Sequence, residues 1–269
     1  MFKKDGHVHT HFCPHGTKDS FMEYIEKAIS LGFEEISFTE HAPLPDGFVD
    51  TTPTQDSAMS AEQIELYFAE IQCHKEKYKD KIKINCGLEV DYIEGFESEI
   101  KEALNNIGSK LDDAILSVHF LKNGQKYDCL DYSPQLFEQM IYEYGSVEKI
   151  YQKYYDTVRA SITADLGYYK PNRIGHITLV HKFQNRFPFQ GDERSMLKQL
   201  LKLIKKQGYS LDYNGAGTAK PLCREPYPPD WVVQEAMTLN IPLVYGSDAH
   251  QAKELGQGFE QMITLNNEQ

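Results

Sequence analysis

Residues 5–9, DGHVH, read as a short β-strand ending in two histidines one residue apart. On a strand, positions i and i+2 project from the same face, so both imidazoles can reach one ion. The arrangement recurs down the chain. Residues 34–39 (EEISFT) lead on to His41, 82–89 (IKINCGLE) end on Glu89, 113–119 (DAILSVH) end on His119, and 173–177 (RIGHI) carry His176 near their end. Residues 241–250 (IPLVYGSDAH) run into Asp248 and His250, and a further apolar run, 209–214 (YSLDYN), carries no such ending. Structural histidines would scatter over loops and helix faces. Ligand-type side chains at the ends of six runs point instead to a shared site.

Between these strands lie helical patterns. In 20–31, Phe21, Tyr24, Ile25, Ala28 and Ile29 fall on one face, and Ser60 with Gln63 forms a capping box ahead of a helix running toward Lys79. Residues 97–107, 135–143, 147–166, 195–207 and 229–239 complete the set. Seven strand–helix units in series specify an α/β fold, either a parallel barrel or a doubly wound sheet. In a barrel the C-terminal strand ends converge on one mouth, where active sites are built. Two stretches exceed plain loops: 42–59, polar and proline-bearing, and 120–171, read as two inserted helices. The tyrosines of the second stretch (Tyr142, Tyr144, Tyr151, Tyr154, Tyr155) read as a packing face.

The 269 residues suit one barrel domain, 1–269, and no Pro-, Gly- or Ser-rich linker divides them. A net charge of −12 argues against a nucleic-acid-coating role. It leaves room for an anionic substrate if bound cations reverse the sign locally. No apolar run approaches the ~18 residues of a membrane span, and the N-terminus, MFKKDGHVHTH, lacks the apolar stretch of a signal peptide. Five scattered cysteines read as reduced thiols, so a cytoplasmic protein is expected.

His7, His9, His15, His41, Glu89, His119, His176, Asp248 and His250 make nine ligand-type residues. A catalytic zinc site uses about three protein ligands, so nine suit two or three ions. Mixed imidazole and carboxylate donors suit Zn, Mn, Fe or Co, and argue against calcium or a thiolate cluster. Cys13 reads as a bystander thiol. His11 and His74 read as structural, His74 being solvated on its helix, and His181 as the start of the helix after strand five.

The ordered set H-V-H-T-H, F-T-E-H, G-L-E-V-D-Y, S-V-H-F, I-G-H and G-S-D-A-H, spanning residues 7–250, resembles the polymerase and histidinol phosphatase (PHP) superfamily. GLEVDYIEGF, SVHF and EPYPP make it more similar to the monofunctional bacterial histidinol-phosphatase branch. The resemblance implies a distorted TIM-like (β/α)7 barrel with a trinuclear site at the C-terminal ends of the strands. By position, His7, His9, Glu89 and Asp248 would hold the first ion. Glu89 would bridge to a second on His119 and His176, and His15, His41 and His250 would hold a third. In GHITLVHKF the chain departs from the family pattern near Thr178, where an acidic residue is expected, and at His181, where a basic one is.

The resemblance implies hydrolysis of L-histidinol phosphate to L-histidinol and phosphate in histidine biosynthesis, by attack of a metal-bridging hydroxide. Glu89, Asp248 and His41 are the expected catalytic residues, with Asp248 positioning the hydroxide and either a metal-bound water or His41 giving the proton to the leaving group. Arg224, then Lys220 and Arg159, are the expected phosphate contacts, since Arg offers bidentate hydrogen bonds. Asp46, Asp91 and Tyr92 are available for the amine and imidazole of the substrate. The expected partner is a small phosphate ester, with neither nucleic acid nor membrane. The rivals are a phosphotyrosine or nucleotide phosphatase of the same superfamily, an amidohydrolase, and a non-enzymatic metal-binding protein. An amidohydrolase would carry a bridging lysine on strand four, where this chain has His119.

Overall fold

The computed structural model describes residues 3–263. Seven parallel strands form one sheet: β1 (Lys4–Val8), β2 (Glu35–His41), β3 (Lys83–Asp91), β4 (Asp113–Ser117), β7 (Arg173–Ile174), β8 (Ser210–Asn214) and β9 (Leu243–Gly246), neighbours in that order. The sheet curls back on itself. Val8 bridges Ala249 just beyond β9, the His9 amide donates to the Ala249 carbonyl, and the Asp248 amide donates to the His7 carbonyl. A nearly closed, distorted TIM-like barrel results, and every strand's C-terminal end opens on one mouth. Buried on both faces, the strands read as near-continuous apolar runs rather than as an alternation. β3 is buried at every position after Lys83.

Helices α1 (Phe21–Ser30), α2 (Ile64–Tyr78), α3 (Glu97–Ile107), α6 (Glu193–Gln207) and α8 (Asp230–Thr238) follow strands and clothe the barrel. Their starts are written in local chemistry. Ser20 and Glu23 close a capping box on α1, and Ser60 and Gln63 close one on the 3₁₀ turn that opens α2. Gly208 ends α6 in the left-handed conformation. Among the described residues no helix is long and apolar enough to cross a membrane.

The segment 120–171 holds more than two helices. A hairpin of β5 (Phe120–Asn123) and β6 (Lys126–Cys129) precedes α4 (Pro134–Tyr144) and α5 (Val147–Thr163). Asn123-Gly124 marks its turn, with Gly124 at φ +62°, a recognisable hairpin signal that the two-helix reading passed over. Tyr151, Tyr154 and Tyr155 of α5 are buried and Tyr144 of α4 packs against the same core, whereas Tyr142 is exposed and stands outside the packing face. After His176 the chain makes a short 3₁₀ helix, Leu179–Phe183, and after β8 a single turn, α7 (Ala216–Ala219). His74 is half-buried between the rings of Phe21 and Tyr78, not solvated.

The floor of the barrel is polar. Arg173 pairs with Asp113 at 2.9 Å and donates to the Gly6 carbonyl, and Lys4 reaches the same carboxylate at 2.9 Å. These pairings occupy the N-terminal end and leave the opposite mouth to the histidines.

Candidate metal centre

His7 lies on β1 and His9 just past its end; His41 and Glu89 sit at the ends of β2 and β3. His119 follows β4, His176 follows β7, and Asp248 and His250 follow β9. His15 comes from the loop between β1 and α1. The barrel brings all nine to the mouth, where seven of them line a cleft of about 580 Å³ and His7 and His9 lie fully buried.

The innermost donors form a small cage. His7 Nε2 is 3.3 Å from His9 Nε2, 3.3 Å from Glu89 Oε2 and 3.8 Å from Asp248 Oδ1. His9 Nε2 is 3.5 Å from Glu89 Oε2 and 3.1 Å from Asp248 Oδ1. An ion held tetrahedrally at 2.0–2.1 Å spaces its donors roughly 3.3 Å apart, so the spacing matches. The other oxygen of Glu89 turns to a second group: Oε1 is 2.8 Å from His176 Nε2 and 3.8 Å from His119 Nε2. Further out, His15 Nε2 and His250 Nε2 face each other at 3.2 Å, and the His41 ring lies 5.2 Å from that of His15.

Tautomers follow from the outer contacts. Nδ1–H of His7 donates to Asp212 Oδ2 at 2.8 Å, that of His9 to Glu40 Oε1 at 3.2 Å and that of His119 to Asp91 Oδ1 at 2.7 Å. His15 and His250 donate to the carbonyls of Asp56 and Asp248. A carboxylate or carbonyl only accepts, so the outer contact takes the Nδ1 proton and Nε2 is the nitrogen each ring turns inward. Two such pairs, His7 with His9 and His15 with His250, face each other at 3.2–3.3 Å, a spacing that suits a shared cation. Glu89 Oε2 and both ring nitrogens of His41 are buried without a hydrogen-bond partner in the protein. Buried polar atoms are rarely left so. The residues therefore fit divalent metal ions, in clusters of histidine and glutamate.

The electrostatics agree. Burial raises the cost of charge on Glu89 and Asp248, but the surrounding histidines overcome it and hold both carboxyls well below the usual range. Burial, reinforced by the charge on His9, holds His41 well below the ordinary imidazole value. Asp248 has φ +54°, a strained backbone for a non-glycine residue, and that turn aims its carboxylate at His9.

Two glycines of the strand-end motifs have a steric cause. A Cβ on Gly175 would lie 2.0 Å from Ser117 Oγ, the hydroxyl that donates to Glu89 Oε1 at 2.6 Å. A Cβ on Gly246 would lie 2.4 Å from His7 Cβ.

The expected phosphate contacts divide. Lys220 lines the cleft, but Arg224 and Arg159 do not. Arg224 is exposed in a left-handed turn (φ +67°), its amide donating to the Gly217 and Lys220 carbonyls. Arg159 sits on α5, away from the cleft lining. Lys182, which the sequence reading passed over, lines the cleft and donates to Asp131 Oδ2 at 2.8 Å. The two are 51 positions apart, and no local pattern joins them. Of the residues considered for the substrate's polar groups, Asp91 is engaged by His119, Tyr92 donates to Glu97, and Asp46 lines a separate groove. The outer carboxylates Glu40 and Asp212 were also missed. In SLDYN the alternation that buries Leu211 and Tyr213 on one face puts Asp212 and Asn214 together on the other, a signal that was available. His181 is buried, lying 2.5 Å from Glu193 and 2.6 Å from Glu225 in the 3₁₀ helix, and takes no part in the cluster.

Residues 5–216 match the family model described as PHP domain. The histidinol-phosphatase of Bacillus subtilis (strain 168) is 48% identical over 265 residues, covering 98% of this chain and 99% of that protein. The crystal structure of HisK from Listeria monocytogenes is 40% identical, with a TM-score of 0.93 over 96% of this chain and 99% of that one. The structure of histidinol phosphate phosphatase from Lactococcus lactis subsp. lactis Il1403, complexed with zinc, L-histidinol and phosphate, is 22% identical and shares the fold, with a TM-score of 0.69 over 93% and 87% of the two chains.

Proposed function

The chain belongs to the PHP domain family, and from that membership we infer that it is a histidinol-phosphatase, hydrolysing L-histidinol phosphate to L-histidinol and phosphate in histidine biosynthesis. The observation that carries this is the 48% identity to a histidinol-phosphatase over nearly the full length of both proteins, on a chain whose donors are spaced for metal ions.

In this reading His7, His9, Glu89 and Asp248 would hold a first ion, Glu89 with His119 and His176 a second, and His15, His41 and His250 a third. Zinc, manganese or iron suits these donors; the zinc in the Lactococcus lactis structure favours zinc. Such ions supply phosphate charge neutralisation and an activated water when bound. The chain's own residues do the rest. Glu40, Asp91 and Asp212 orient the imidazoles through Nδ1. Asn214 donates to Asp248 Oδ2 at 3.1 Å and fixes the carboxylate whose other oxygen faces His9. That carboxylate is placed to accept a proton from the attacking water. His41, held neutral by its buried setting, carries no imidazolium proton to give, so the departing alkoxide takes its proton from water in the cleft. Lys220 and Lys182 bring positive charge to the cleft wall for the phosphate. We also read residues 1–269 as one barrel domain with an insertion at 120–171, residues 1–2 and 264–269 lying outside the described residues; the closure of β1 onto the segment after β9 supports this.

The test is kcat/KM for L-histidinol phosphate beside phosphotyrosine, glycerol phosphate and a nucleoside monophosphate. A pocket built to hydrogen-bond the amine and imidazole discriminates against analogues lacking them by about 10⁴. A tenfold preference for phosphotyrosine or a nucleotide would refute the assignment.

A further inference from the structure

The loop that delivers His15 carries a second soft donor. Cys13, two residues earlier, has no exposed surface, and its Sγ lies within 4.8 Å of ligand atoms of His9, His41 and His250. A cysteine that merely packed would be surrounded by apolar side chains. This one faces three imidazoles. The loop folds around it: the Cys13 amide donates to the Thr10 carbonyl, and the Gly16 amide to the Cys13 carbonyl.

A second observation points to an ion at the same place. His41 is only 7% exposed, and neither of its ring nitrogens has a hydrogen-bond partner in the protein. Its ring stacks 4.2 Å from that of His9, which in turn lies 4.1 Å from that of His250. An imidazole buried with both nitrogens unsatisfied is a ligand in search of an ion, and Cys13 Sγ lies beside it.

We propose that Cys13 is a thiolate ligand of the outermost metal ion, joining His41 and His250 on the inner side while His15 closes the site from solvent. This rests on the reading of the mouth as a multinuclear metal centre. On ligation the sulfur–metal bond forms and the thiol proton leaves to solvent. A zinc–sulfur bond is about 2.3 Å long. Thiolate ligation biases the outer position toward zinc or cobalt over manganese and magnesium, which prefer oxygen. The inner cage has no sulfur and carries no such bias.

The test uses the full-length protein loaded with cobalt(II), with bound cobalt counted and its visible ligand-field bands recorded. The expected result is a near-ultraviolet thiolate-to-cobalt charge-transfer band in the native protein. It should be lost in Cys13→Ser and kept in Cys129→Ser, which removes a different thiol lining the cleft. X-ray absorption of the zinc-loaded native protein should show a sulfur shell at about 2.3 Å, a readout that does not depend on any variant folding. Bound cobalt with ligand-field bands but no charge-transfer band, or a band lost in Cys129→Ser instead, would overturn the proposal and leave the metal centre standing. Failure to bind cobalt at all would overturn both.

Discussion

Replacing Glu89 by glutamine changes one oxygen to an amide and removes one negative charge, with almost no change of shape. Glu89 is 2% exposed, so water cannot take over its role. Its Oε2 lies 3.2–3.5 Å from nitrogens of His7, His9 and His41, and its Oε1 lies 2.8 Å from His176. Each oxygen therefore faces a different set of imidazoles, and the carboxylate serves two ion positions. A unit charge acting over about 4 Å at an effective dielectric near 20 is worth about 4 kcal/mol. Losing that much in the transition state lowers the rate about a thousandfold, at 1.36 kcal/mol per factor of ten. Glu89→Gln should therefore lose about three orders of magnitude in kcat and at least one bound ion. His15→Ala, which touches only the outer position, should be milder, and His74→Ala should keep its full metal content. The assay is steady-state kinetics with metal analysis on the same preparations, with circular dichroism as a check on folding. A folded Glu89→Gln protein with near-native rate and metal content would refute the bridging role.

Other outcomes follow from the same geometry. Lys182→Met should lower kcat/KM for L-histidinol phosphate by roughly 1.5–3 kcal/mol, the size of a charge-assisted hydrogen bond, while Arg224→Ala, at an exposed turn off the cleft, should stay within about threefold of native; the reverse ranking in steady-state kinetics would show that the wrong cation has been chosen. Burial opposes charge on His181, yet Glu193 and Glu225 overcome it and push its pKa up to about 9 from 6.5. This stabilisation is fully present below pH 6.5 and fades as pH rises through about 9, so urea unfolding of native protein should lose roughly 3 kcal/mol across that window, and His181→Gln should flatten the dependence. Arg173→Met leaves Asp113 buried with only Lys4 as its cation; the expected loss is about 3 kcal/mol, the low end for breaking a buried pair, and a melting temperature equal to native would refute it.

The strand-end pattern was legible because a parallel strand buried on both faces is an apolar run, and the residue at its end is the first that can be polar. DAILSVH shows that transition, while EEISFTEH and IKINCGLE also bury Ser37, Thr39, Glu40 and Asn85 within the run. The pattern placed strand boundaries to within about three residues, the strand read at 173–177 ending at Ile174, and pointed to one mouth before any contact was known. Helix starts were legible for the same local reason, since Ser20 with Glu23 and Ser60 with Gln63 satisfy backbone groups within four residues of themselves.

What lay beyond the sequence was every relation between residues distant in the chain. Asp131 and Lys182 meet across the cleft although 51 positions separate them, while Arg224, favoured for its chemistry and its loop, turns away at a left-handed residue. Asp212 and Glu40 become the partners of His7 and His9 only because β8 and β2 are carried to either side of β1. Residue type and periodicity act over one strand or one turn and are written locally. Hydrogen bonds and ion pairs at the mouth depend on distances of a few ångströms set by the curl of the whole sheet, so only the folded barrel decides which of the available side chains converge.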